Sequence, residues 1–141
     1  MDSNELLFDV YQNAEFARDI IGRLIKHCES SDFRKLLAEQ YAEYHTITED
    51  AKAALWGQGV VPRTIGRKRR KAIYAATEIN LKIDKTPSHM AEMLMQGSLL
   101  GMIDISKSLT QNRDADEYSK HLANKLVETE ANNIRSMREF L

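Results

Sequence analysis

The side chains with the most chemical potential in this chain are acidic, and they sit within long helical patterns. Glu15, Glu43 and Glu130 fall near the middles of three such patterns, Glu92 lies nearer the start of a fourth, and His45 follows Glu43 by two residues. Carboxylates that share one layer of a helical core repel one another and lose hydration. An interior tolerates them when a metal ion or a hydrogen-bond network compensates them. Two readings follow. One is a carboxylate metal site, suited to iron or manganese, formed by Glu15, Glu43, Glu92 and Glu130 with help from His45. The other is a satisfied polar network in which Gln40 and Gln96 bond each other across the core and fix the register.

Weaker signals accompany these residues. His89 and Glu92 share one helix face and could bind a single ion, but two ligands make a thin site. Met90, Met93, Met95 and Met102 crowd the same segment, where soft, flexible methionine more often fills a core than binds copper. Gly97 and Gly101, with Ser98 between them, allow close helix approach or leave room for a ligand beside Gln96. The basic run Arg63, Arg67, Lys68, Arg69, Arg70, Lys71 could contact an anion. It contains no aromatic residue for stacking on single strands, so nucleic acid is not the expected partner. No Ser-His-Asp pattern, phosphate-binding loop or dinucleotide fingerprint occurs.

The elements that must position these residues are helices. Apolar or small residues recur at three-four spacing along Leu7, Val10, Ala14, Ala17, Ile21, Leu24 and Cys28, and again along Phe33, Leu37, Gln40, Tyr44, Ile47, Ala51 and Leu55. Asp2 with Glu5 reads as a capping box for the first helix. Glu29 to Asp32 separates it from the second, which ends at Gly57 as a left-handed terminator. A third long helix begins at Thr86-Pro87, with the stripe His89, Met93, Gln96, Leu100, Ile103 and Lys107. Asp114 with Glu117 reads as a capping box for the fourth, with the stripe Tyr118, Leu122, Lys125, Leu126, Thr129, Asn133, Met137 and Phe140. Residues 58–85 form the connector between the two hairpins, with a weaker helix from Ala72 to Lys85. A helix of ~25 residues is ~37 Å long, and a connector of this length can return along the whole bundle.

Four long helices with one long, partly helical crossover, together with Glu15, Glu92 and the spaced pair Glu130 and Asn133, resemble the ferritin-like superfamily, which includes rubrerythrins and bacterioferritins. The resemblance implies an all-α, ferritin-like four-helix bundle spanning residues 1–141 as a single domain. It also implies a site built from a Glu on the first and third helices and Glu-x-x-His on the second and fourth. In this chain Asn133 stands where the fourth-helix motif has His, and Ala42 stands three residues before His45. The implied ligand set is therefore incomplete. The alternative on the same fold is a non-enzymatic structural or interaction protein.

Bulk properties agree with a soluble helical domain. The 141 residues are 43% hydrophobic and 29% charged, with a formal net charge of −1. No whole-chain field draws the protein to nucleic acid or an anionic surface. The single cysteine, Cys28, excludes an intrachain disulfide and points to the cytoplasm. Met1 to Glu5 lacks the basic region of a secretory signal, and no apolar run is long enough for a membrane span. Self-association into a homo-oligomer is left open.

Overall fold

Long apolar stripes and sparse breakers leave packed helices as the means of burying this chain's hydrophobic surface. The computed structural model describes residues 2–64 and 66–141, apart from the side chains of Asp2 and Arg67. The capping role expected of Asp2 falls outside the described residues. The chain forms α1 (Asp2–His27), α2 (Ser31–Gly57), α3 (Arg67–Ile83), α4 (Pro87–Gln111) and α5 (Glu117–Met137), and Arg138–Phe140 closes it as a 3-10 turn. Among the described residues there is no strand, and no helix is long and apolar enough to cross a membrane.

Contacts at the helix ends fix the directions. The hydroxyl of Ser108, late in α4, donates to the carboxylate of Asp9, early in α1, at 2.6 Å. Ile20 and Ile21, late in α1, share a cavity wall with Leu94, early in α4. These two helices are therefore antiparallel. Phe33 meets Phe140 with ring centroids 4.8 Å apart, while Gln58 reaches Asp116 at the other end, so α2 opposes α5. It follows that α1 and α5 run one way and α2 and α4 the other. The link from α2 to α4 must then traverse the bundle, and α3 lies within that link.

The stripes expected for α1 and α2 are the faces they bury, with Ala17 only half-buried. The stripe expected for α4 is not. Its buried face is Met90, Ala91, Leu94, Ser98, Gly101, Ile105 and Ser108, whereas Gln96 and Lys107 are exposed and Leu100 and Ile103 are 62% and 44% exposed. The middle of this inner face, Ser98 and Gly101, is small because Tyr44 on α2 and Glu130 on α5 come against it. With Gln96 outside, no Gln40–Gln96 bond crosses the core. On α5, Tyr118 and Lys125 face outward, and Ser119, Ala123 and Glu130 take their places inside.

Helix ends are set by side chains that satisfy free backbone groups. Ser30 accepts from the Phe33 N–H, and Thr86 accepts from the His89 N–H with Pro87 next to it. At the end of α2 the left-handed residue is Gly59, with φ +72°, rather than Gly57. The Gly59 N–H donates to the Trp56 carbonyl and the Val60 N–H to the Leu55 carbonyl, the paired bonds of a Schellman motif. The cap of α5 is Asp116 rather than Asp114. Its carboxylate accepts from the Ser119 N–H at 2.7 Å, and that bond holds its pKa below the usual value. Asp116→Ala is expected to lower stability by about 1 kcal/mol, with Asp114→Ala within a few tenths of wild type, as read by urea denaturation.

The crossover helix begins at Arg67, five residues before the expected Ala72. Gly66 provides no side-chain cap, and a basic first turn faces the positive end of the helix dipole. The compensation comes from α1. Arg70 pairs with Asp19 and approaches Glu15 at 3.8 Å. Tyr74 stacks on Phe16, the Arg23 guanidinium sits 3.7 Å from the Tyr74 ring, and Arg23 and His27 both pair with Glu78. Thr77 and Leu81 are the buried residues of this helix.

Candidate functional site

The bundle's polar centre is asymmetric. Glu130 on α5 is 2% exposed and Gln40 on α2 is 1% exposed, yet Glu130 Oε2 and Gln40 Nε2 have no hydrogen-bond partner, and neither does the nearby Asn133 Nδ2. Such atoms are rare in a folded interior, because each one left unpaired costs ~1–3 kcal/mol. Burial pushes the Glu130 carboxyl up to about 8, with the Asp104 charge on α4 adding to the effect. The group is therefore largely a neutral acid at pH 7. Burial also pushes the Tyr44 phenol up to about 12, reinforced by Glu130, with Ser98 and Asn133 as the hydroxyl's polar neighbours.

Gly101 explains how a carboxyl fits against α4. A Cβ at that position would lie 2.3 Å from Glu130 Oε2 and 2.7 Å from Oε1. The missing side chain is thus the space that the Glu130 carboxyl fills. Gly97, one turn earlier, has nothing within 4 Å of its would-be Cβ. It faces a cavity of about 200 Å³ whose walls include Phe16, Ile20, Ile21, Ile73, Met93 and Leu94, with Gln40, Tyr44, Ser98 and Glu130 as polar members. Of the two readings of these small residues, close approach describes Gly101, and open room describes Gly97, beside Gln40 and Glu130 rather than Gln96.

The cavity continues into a groove. Asn13, Phe16, Ile73 and Gly97 are shared with a neighbouring space of about 430 Å³ that reaches Asp9, Arg69 and Asp104. Asp9 and Gln12 in turn belong to a third space, of about 470 Å³, bounded by Glu5, Phe8 and Arg63. The groove lies between α1 and α4, and α3 contributes Ile73 and Thr77 to its inner wall.

The four acids and the imidazole singled out in the sequence do not gather at one point. Glu15 is buried, but its Oε2 accepts from the Tyr11 hydroxyl at 2.7 Å and its Oε1 faces Arg70. Burial and that bond together push the Tyr11 phenol up to about 12. Glu43 and Glu92 are exposed. His45 is exposed too, stacked on Tyr41, with its Nδ1 accepting from Arg18 at 3.3 Å. Among the described residues no group of three or more His, Cys, Asp or Glu is placed to hold a metal ion. As arranged, these side chains do not supply the ligand set of a di-metal centre.

The basic run divides as well. Arg70 turns inward to Asp19, Arg63 lies over the Phe8 ring at 5.2 Å, and Lys68, Arg69 and Lys71 are exposed. Glu130 and Gln40 were visible in the sequence as polar residues inside or beside a stripe. The roles of Gly101, Ser98 and Asp104 were not, because they depend on which face of α4 turns inward. No family model, curated protein or solved structure matches the chain.

Proposed function

We propose that this chain is a ligand-binding helical bundle that holds a small, largely apolar molecule against the buried Glu130–Gln40 pair. The observation that carries this reading is that Glu130 and Gln40, each with a buried side-chain atom that has no hydrogen-bond partner, both line one apolar cavity. A ligand with one polar end recovers the hydrogen bonding those atoms lack, and its body replaces empty space with contacts. The volume suits a single ring or short branched chain, since a cavity of ~150 Å³ holds benzene. Sites between the helices of a bundle commonly combine apolar walls with a few convergent polar groups.

The two hairpins and the traversing crossover support a ferritin-like arrangement for this bundle. In that reading the polar centre occupies the place where such folds keep their ligands. The metal-binding reading through Glu15, Glu43, His45, Glu92 and Glu130 draws less support, because three of the five side chains are exposed and Glu15 is already engaged.

Benzyl alcohol is a suitable probe of the cavity. It is expected to bind one per chain, to shift the amide resonances of Gln40, Ser98 and Glu130 saturably, and at ten times its Kd to stabilise the fold by about 1.4 kcal/mol. Gly97→Leu, which extends a side chain into the open space, is expected to abolish those shifts while the variant stays folded. Shifts that never saturate, or that persist in Gly97→Leu, count against the cavity as the site.

A further inference from the structure

Building on the ligand-binding reading, we infer that the polar end of the ligand is a cation, and that this site takes an organic amine with an apolar body. Acidic side chains outnumber basic ones along the groove. Glu130 lines the inner cavity, and Asp104 and Asp9 line the space that continues from it. No Lys, Arg or His lines the inner cavity, and Arg69 stands in the outer space. The polar groups that line the cavity with Glu130 are Asn13 on α1, Gln40 and Tyr44 on α2, Thr77 on α3 and Ser98 on α4, with Asp104 on α4 acting on the carboxyl and Asn133 on α5 beside Tyr44. None of them is cationic. The carboxyl is buried, and its Oε2 lacks a donor.

An ammonium group supplies the donor that the Glu130 carboxyl lacks. One N–H is directed at that carboxylate, and the others have the Ser98 and Tyr44 oxygens and the Gln40 carbonyl as acceptors on the same cavity wall, while the Gln40 amide nitrogen, itself a donor, gains nothing from the cation. Phe16 adds an aromatic ring to the same wall. A carboxylate ligand would find the unpaired Gln40 and Asn133 amide donors but no cation, and would place a second acid beside Glu130, which is unfavourable in a buried site. A neutral alcohol satisfies the hydrogen bonding but gains nothing from the field of Asp104. When the amine binds at neutral pH as R-NH3+, the protonated Glu130 releases its proton to solvent, and the complex holds a carboxylate paired with an ammonium.

Three probes of matched shape separate the classes: benzylamine, benzyl alcohol and benzoate, titrated by calorimetry at pH 7. Benzylamine is expected to bind at least about tenfold more tightly than benzyl alcohol, with benzoate weaker than both. Glu130→Gln is expected to weaken benzylamine at least about tenfold while benzyl alcohol changes by less than about threefold, which also shows that the variant retains its cavity. Asp104→Asn, at an exposed position, is expected to weaken benzylamine by about threefold with no effect on the alcohol. Alcohol binding as tight as amine binding, or an amine affinity untouched by Glu130→Gln, overturns the amine assignment and leaves the ligand-binding reading standing. Failure of all three probes overturns both.

Discussion

Glu130→Gln is expected to leave the protein within about 1 kcal/mol of wild type at pH 5 and to make it more stable than wild type at pH 9, by on the order of 4 kcal/mol. The carboxyl has a folded-state pKa of about 8 against an ordinary value of 4.5. Between those two values the folded chain holds a proton that the unfolded chain has lost. Wild-type stability is therefore fully present below pH 4.5 and declines as pH rises through 8, because the folded state must then either ionise a buried acid or open. Glutamine has nearly the same shape and no proton to lose, so this decline is absent from the variant. Tyr44, the other perturbed group at the centre, titrates near 12 and stays neutral across the window. Urea unfolding of both proteins from pH 5 to pH 9 reads the difference directly. Parallel profiles would mean that water or a rearranged neighbour solvates the carboxyl, and that Glu130 is not a buried acid.

How much of this was legible in the sequence depends on the helix. α1 and α2 declare themselves, since each carries a seven-residue stripe at three-four spacing that is apolar or small throughout except at Gln40. α4 does not, because it is apolar on two faces. Leu99, Leu100 and Ile103 lie outside, while the inward face carries Ser98, Gly101 and Ser108. Hydrophobic period alone does not choose between them, since the expected stripe carries His89, Gln96 and Lys107 and the buried face carries Ser98 and Ser108. The choice is made by the tyrosine and the carboxyl that facing helices bring against Ser98 and Gly101. α3 begins where Arg70 finds Asp19, a tertiary contact that outweighs an unfavourable basic first turn. The α5 cap moved by two residues because Asp114 and Asp116 are equivalent by type. Ala115 is buried and its N–H donates to the Asn112 carbonyl, which leaves Asp116 as the residue at the helix start. The buried acids Glu15 and Glu130 were both among the sequence candidates. Their unlike surroundings, one bonded to tyrosine and the other without a donor, are a property of packing.

Gly101→Ala tests that packing most directly, because two opposed effects meet at one atom. In an ordinary helix interior the substitution stabilises by roughly 0.5–1 kcal/mol, since glycine loses more backbone freedom on folding. Here the new methyl would stand 2.3 Å from Glu130 Oε2 and 2.8 Å from its Cδ. Either the helices separate or the carboxyl swings toward the adjoining cavity. Both outcomes cost more than the propensity gain, and overpacking of this kind typically costs ~1–3 kcal/mol. Gly101→Ala alone is thus expected to destabilise by about 1 kcal/mol or more and to weaken binding in the cavity that the displaced carboxyl enters. In a Glu130→Ala background the obstacle is gone, and the same substitution is expected to stabilise by about 1 kcal/mol. The coupling in the double-mutant cycle is then about 2 kcal/mol, well above the few tenths expected for independent sites. Additive effects would separate the two residues. A coupling of the expected sign ties the glycine on α4 to the carboxyl on α5, and makes the absence of one side chain the condition for burying the other.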